Sequence, residues 1–213
     1  MRVRIAGPSD EPAAVAAAVD VLRRGGIVAY PTDTLYGLAA DPASDRAMER
    51  LFDVKGRDRT QAIPLIAASL DQARAAGEFA ADDLRLAAAF WPGPLALVVP
   101  ARPALSRAVV AGDGTVAIRV PAHPLARALA AAFGGCITAT SANLSGEPAT
   151  GSAGAVAASL DERIDLILDA GDAPGGPPST LVDVRGGAPR LVRAGAIAWD
   201  RVLESLTERG TRP

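Results

Sequence analysis

The sequence predicts an α/β fold, a single domain over residues 1–213, built on a twisted mixed sheet of parallel and antiparallel strands with flanking helices. Three observations carry that expectation. Short β-branched and apolar runs alternate with longer Ala- and Leu-rich stretches of helical period. The spacing over residues 180–193 is that of a hairpin, which adds antiparallel pairing to an otherwise βα-alternating chain. No repeat or long Pro/Gly linker divides the 213 residues, and the 49% that are hydrophobic can fill one sizeable core.

The elements follow in order. Ser9 or Asp10 caps a first helix with Pro12 in its opening turn, and the Ala/Val/Leu repeat over 13–22 gives it an apolar face. Gly25-Gly26 stops it, and the apolar run 27–30 reads as a buried strand. That strand enters a polar loop, Pro31-Thr32-Asp33-Thr34-Leu35-Tyr36-Gly37-Leu38. Ser44 opens a second helix to Val54, with Leu51 and Phe52 on its inner side, and 55–61 is a charged loop. Further strands are expected at 64–67, 95–99, 115–120, 136–140, 165–168, 181–184 and 191–193. Helices fall between them at 70–76, 82–90, 124–133 and 153–160, and 171–178 is a loop. An amphipathic helix at 199–208 and a fraying tail complete the chain.

Composition narrows the function. A formal charge of −2 and a pI near 5.5 argue against a protein whose main task is gripping a phosphate backbone. With four Phe, two Trp and two Tyr, aromatic stacking surfaces are scarce. One cysteine excludes an internal disulfide framework and a cysteine-rich zinc site, which points to a reducing compartment. Neither a signal-peptide pattern nor a membrane-length apolar run is present, so a cytoplasmic location is expected.

Chemistry-bearing residues cluster in islands. The Thr/Asp loop sits at a strand end, where open α/β sheets bind ligands. Lys55 and Arg57 flank Gly56, so two cations can reach one anion, the reading being a polyphosphate or a solvated charge cluster. Ser141-Ala142-Asn143 follows another apolar run and offers a hydroxyl, an amide and backbone N–H groups, either to a nucleotide or simply to a turn. Arg119 alternates with Ile118 and Val120 on a strand, where it needs an anion: a structural Asp or a substrate carboxylate. Ser179 and Arg193, on neighbouring strands, face one cleft, unless the hairpin holds an internal ion pair to Asp183. His123, between prolines, reads as a helix-entry residue and Cys136 as buried filler. A P-loop, a dinucleotide fingerprint and an H-E-x-x-H motif are all missing, and one His with one Cys makes a poor hydrolase triad. Electrostatic positioning is the chemistry that remains.

In this order the Thr/Asp loop, Lys55-Gly56-Arg57, Ser141-Ala142-Asn143 and Ser179 to Asp183 with Arg190 and Arg193 resemble the YrdC/Sua5 family over about residues 10–195, in its short YrdC type. The resemblance implies an L-threonylcarbamoyladenylate synthase. Such an enzyme makes L-threonylcarbamoyl-AMP and pyrophosphate from L-threonine, bicarbonate and ATP with Mg²⁺, for the t6A modification of tRNA. It further implies threonine contacts at Thr34, Arg119 and Ser179. ATP contacts fall at Arg57, Thr115, Ser141, Asn143 and Arg193, and Lys55 with Arg57 forms the family's Lys-x-Arg motif. Two positions depart from the family pattern: Ala68 where many members carry His, and Ile63 where Asn or Lys is common. The loop after Lys55 is also about two residues long relative to the family, so Arg59 or Gln61 could supply a phosphate contact. The alternatives are a YciO-like paralogue with another carbamoyl- or acyl-adenylate substrate, and a non-catalytic RNA-binding module, against which the charge counts.

Overall fold

The computed structural model describes residues 1–5, 7, 9–56, 62–160 and 162–207. Its strands form two mixed sheets, where one was expected. The first has the order β1 (Arg2–Arg4), β9 (Leu166–Asp169), β2 (Val28–Pro31), β3 (Tyr36–Ala39) and β8 (Thr140–Ser141). The second runs β11 (Arg190–Arg193), β10 (Thr180–Asp183), β5 (Leu95–Pro100), β6 (Thr115–Arg119), β4 (Leu65–Ile66) and β7 (Ile137–Thr138). The division occurs inside the run read as one strand over 136–140. Ile137 and Thr138 pair with β4, Thr140 and Ser141 pair with β3, and Ala139 between them donates its N–H to Pro64 O at 2.8 Å.

Part of the Thr/Asp loop is also a strand. Tyr36 and Leu38 fill the core on one side of the first sheet, and Ala39 fills the other. Gly37 lies against the Tyr30 ring, where a Cβ would sit 3.4 Å from its nearest ring atoms. β1 was missed because Arg2-Val3-Arg4 has only one apolar residue, yet it adds to β9 in parallel as an edge.

The helices among the described residues are α1 (Glu11–Arg23), α2 (Asp45–Lys55), α3 (Leu70–Ala76), α4 (Ala81–Phe90), α5 (Pro124–Phe133), α6 (Ala153–Leu160) and α7 (Trp199–Thr207). Ser44 caps α2 by accepting from Ala47 N–H, and Gly56 ends it in the left-handed region at φ 57°. The Ala-rich faces of α1 and α5 pack together over Val28, Tyr30, Leu166 and Leu168 on one face of the first sheet. Its other face, with Ala29, Leu38 and Ile167, shares a core with α2, α4, α6 and one face of the second sheet. Each fully buried Leu or Ile there stabilises the fold by about 1.5–3 kcal/mol. Cys136 is buried in this core with its thiol pushed up to about 12 by desolvation, so it stays neutral.

The second sheet is divided by strand alternation. Leu95, Leu97, Val99, Val116, Ile118 and Val182 point into the shared core. Ala96, Val98, Thr115, Ala117, Arg119 and Leu181 line a cavity on the opposite face. At its rim, Gly195 lets the chain after β11 lie directly on the backbone that leads into β10. A Cβ there would come 2.5 Å from Ser179 C and Thr180 N, and closer still to Pro178 O. Gly195→Ala should therefore cost about 1–3 kcal/mol through overpacking against backbone. A fall in the midpoint of urea denaturation checks this, and an unchanged midpoint contradicts it.

Candidate active site

The cavity encloses about 770 Å³ between the β2–β3 turn, the exposed face of the second sheet, the Ser141–Asn143 turn and the β10–β11 hairpin. Of the residues singled out from the sequence, Thr34, Thr115, Arg119, Ser141, Asn143, Ser179 and Arg193 all line it. Arg57, Arg59 and Gln61 lie outside the described residues. Lys55 lies within hydrogen-bond reach of the lining but does not itself line the cavity.

The β2–β3 turn is held by one hydroxyl. Thr32 Oγ1 accepts from Thr34 N–H and Leu35 N–H and donates to Leu35 O at 2.7 Å. Because that donation uses its proton, the 3.1 Å contact between the Thr32 and Thr34 hydroxyls is donated by Thr34. Thr34 then offers lone pairs to a ligand. Asp33, at the tip of the turn, accepts from Arg119 Nη1 at 2.8 Å. Both side chains are largely buried, at 7% and 13% exposed. The two readings left open for Arg119 therefore coexist: it has a structural Asp partner, and it also faces the cavity. Tyr30, beneath this pair, donates its phenol to Thr138 O, and burial raises its pKa far enough to keep it neutral.

Lys55 is 3% exposed and donates to Ser141 O at 2.7 Å, Asn143 O at 2.8 Å and Asn143 Oδ1 at 2.9 Å. Its stem leaves the buried end of α2, and its ammonium fixes the turn that was read as half of a nucleotide cradle. Ser141 Oγ donates to Asn143 Oδ1, and Asn143 Nδ2 donates to Glu147 O, so the turn is bonded internally as well. Any effect of Lys55 on a bound phosphate thus includes the shape of this turn.

On the hairpin, Arg193 donates to Ser179 O at 2.8 Å and Ser179 Oγ at 3.0 Å, joining two residues expected to share a cleft. The two readings left open for the hairpin also coexist, since it holds an internal ion pair to Asp183 while Ser179 and Arg193 line the cavity. Asp183 is held by Arg185 and Arg190 rather than by Arg193, because the bulged β10–β11 register sets Asp183 opposite Arg190. The hydrogen bonds from Arg185 and then Arg190 hold its carboxyl well below the usual carboxylate range. Arg185 also reaches Asp113 on the loop before β6. Two carboxylates at the site, Asp33 and Asp113, were not identified as positioning groups from sequence. Asp33 stood inside the polar motif, while Asp113 showed only a Gly-Asp-Gly turn signal.

Elsewhere, Ile63 is buried in the core, and Ala68 donates its N–H to Gln72 Oε1, so neither departure brings a polar side chain to the cavity. His123 occupies the N-cap position of α5, and burial lowers its pKa. Among the described residues no group of three or more His, Cys, Asp or Glu side chains could hold a metal ion. Nor is any described helix long and apolar enough to cross a membrane.

The family profile described as "Telomere recombination", Sua5/YciO/YrdC, matches residues 20–195. A threonylcarbamoyl-AMP synthase of Pyrococcus abyssi is 36% identical over 197 residues, covering 92% of this chain and 58% of that protein. The chain therefore spans less than two thirds of that relative's length. The crystal structure of P. abyssi Sua5 complexed with L-threonine superposes with a TM-score of 0.89 at 34% identity, covering 98% of this chain and 61% of that one. Escherichia coli YciO gives a TM-score of 0.82 at 25% identity, covering 93% and 96%.

Two stability outcomes follow from the site's own bonds. Lys55→Met would remove three hydrogen bonds from this turn and leave Asn143 O without its donor, while Asn143 Oδ1 keeps Ser141 Oγ and Ser141 O keeps Asn143 N–H, at a cost of about 1–3 kcal/mol for the stranded carbonyl. A clear fall in thermal midpoint checks it. Asp183 has a depressed folded pKa, so its contribution is present above the unfolded value of about 3.9 and is lost as the pH falls through the folded one. Asp183→Asn should remove that acid-side loss, read from urea midpoints stepped from about pH 5 to pH 2.

Proposed function

This chain belongs to the Sua5/YciO/YrdC family, and we propose that it is an L-threonylcarbamoyladenylate synthase. The observation that carries the reading is on β6. Arg119 and Thr115 face the same cavity four residues apart, about 13 Å along a strand. One end offers a guanidinium to a carboxylate, and the other offers hydroxyl and carboxylate oxygens. Between them lies an apolar shelf of Ala96, Val98 and Ala117, which on this reading takes the base, with the α-phosphate towards Arg119.

On this reading the carboxylate of L-threonine lies on the guanidinium edge of Arg119 that Asp33 leaves open, and Thr34 and Ser179 take its polar groups. Arg193 and Arg57 hold the ATP phosphates, with Arg57 carried over from the family motif. The threonine amine adds to bicarbonate, giving a carbamate and water. A carbamate oxygen then attacks the α-phosphorus, and the bond to the bridging oxygen breaks to release pyrophosphate. Nothing here needs a strong base: positioning and charge neutralisation supply the rate. On this reading Mg²⁺ arrives with the ATP, held by phosphate oxygens and water. Delivery of the product to tRNA, in the cytoplasm, belongs to the same proposal.

A second reading, a YciO-like enzyme acting on another carbamoyl- or acyl-adenylate substrate, draws on Ala68, where the family pattern carries His. Incubating the protein with ATP, bicarbonate and labelled amino acids separates the two. Threonine should give a labelled adenylate and pyrophosphate. Valine, lacking the hydroxyl, should be rejected by up to about 10⁴-fold, and serine by about 1–3 kcal/mol. Valine used as well as serine would favour the second reading. Arg119→Lys keeps the charge but loses the fork, so threonine affinity should fall about tenfold or more with ATP affinity unchanged. Calorimetric titration of each ligand measures both.

A further inference from the structure

Thr115 is 4% exposed and lines the cavity, and its hydroxyl lies 2.6 Å from Asp113 Oδ1. A carboxylate only accepts, so the Thr115 hydroxyl must be the donor. Asp113 stays ionised, because its other oxygen accepts from Arg185 Nη2 at 3.0 Å and both bonds lower its pKa. Arg185 is in turn held by Asp183, so the carboxylate is anchored from the hairpin side across the mouth of the cavity. With its single proton committed, Thr115 presents only lone pairs, and the Asp113 carboxylate beside it does the same. Beside this edge lie Val98 and Ala117, a directly paired couple on β5 and β6 whose side chains also line the cavity. A flat apolar shelf ending in an acceptor-only edge suits a planar base with a donor on its rim.

We propose that Asp113 is a specificity-determining positioning residue: by taking the Thr115 proton it makes this wall read a hydrogen-bond donor on the base, selecting a 6-aminopurine nucleotide over a 6-oxopurine one. The inference rests on the nucleotide-binding reading above and adds to it the choice of base. A 6-oxo group would set an acceptor against acceptors, and the ring would have to shift out of register to bring its N1–H donor onto them.

The test is calorimetric binding of ATP, ITP and 2′-deoxy-ATP to the full chain and three variants, with circular dichroism as a check on folding. The wild type should bind ATP about tenfold or more tighter than ITP, the worth of one hydrogen bond with its mispairing penalty. Asp113→Ala frees the hydroxyl proton, so ITP should tighten and the ratio fall towards one. Thr115→Val should reach the same ratio by weakening ATP, and Thr115→Ser, which keeps the hydroxyl, should restore the preference. Equal binding of ATP and ITP by the wild type overturns the inference while leaving the synthase reading intact. So does a preference that neither Asp113→Ala nor Thr115→Val changes. A Thr115→Val penalty that disappears with 2′-deoxy-ATP would place the donor on the ribose and overturn the assignment to the base. A wild type that binds no nucleotide overturns the nucleotide reading and this inference together.

Discussion

The period of two along β6 is the constraint on which the site depends. Val116 and Ile118 must enter the core, and that requirement sends Thr115, Ala117 and Arg119 to the other face. A slip of one residue would bury a guanidinium among Leu and Ile and turn Ile118 towards the ligand. The paired residues on β5 obey the same rule, with Leu97 inward and Val98 outward. The cavity floor is thus the reverse side of the core, and its spacing is fixed by packing rather than by loop conformation.

Around that floor, every described cation of the site is held by a partner, Arg119 and Lys55 by groups more than 80 residues away and Arg190 and Arg193 within their own hairpin. Arg119 is held by Asp33 on the β2–β3 turn, Lys55 by the carbonyls of the Ser141–Asn143 turn, and Arg190 by Asp183. Arg193 is bonded to Ser179. Side chains restrained in this way lose less entropy when an anionic substrate arrives, and buried charges avoid the penalty of standing unpaired. The arrangement suits a reaction that needs charges in place before the phosphorus is attacked.

Much of this was legible in the sequence, for identifiable reasons. Strand alternation alone turned Arg119 away from Ile118, and the strand-end position of the Thr/Asp loop and of Ser141 placed both at one cleft. Less legible were facts that depend on which strand meets which. The run over 136–140, Cys-Ile-Thr-Ala-Thr, holds small and β-branched residues with no Gly, Pro or charge, so nothing in it marks the hand-over between sheets at Ala139. Arg119 and Asp33 are 86 residues apart, and Asp183 finds Arg190 only through a bulged register. Lys55 carries a motif read as phosphate-binding, but its donors are turned to the Ser141–Asn143 turn because its stem starts from the buried face of α2.

The central claim is that one cavity seats an amino acid and a nucleotide at opposite ends of β6. A crystal structure of this protein with L-threonine and a non-hydrolysable ATP analogue tests it most directly. The account predicts the threonine carboxylate on Arg119 and the base on the Val98–Ala117 shelf with its edge at Thr115, the α-phosphate lying between. A nucleotide bound outside this cavity, or with its phosphates at Thr115 and its base at Arg119, would contradict it.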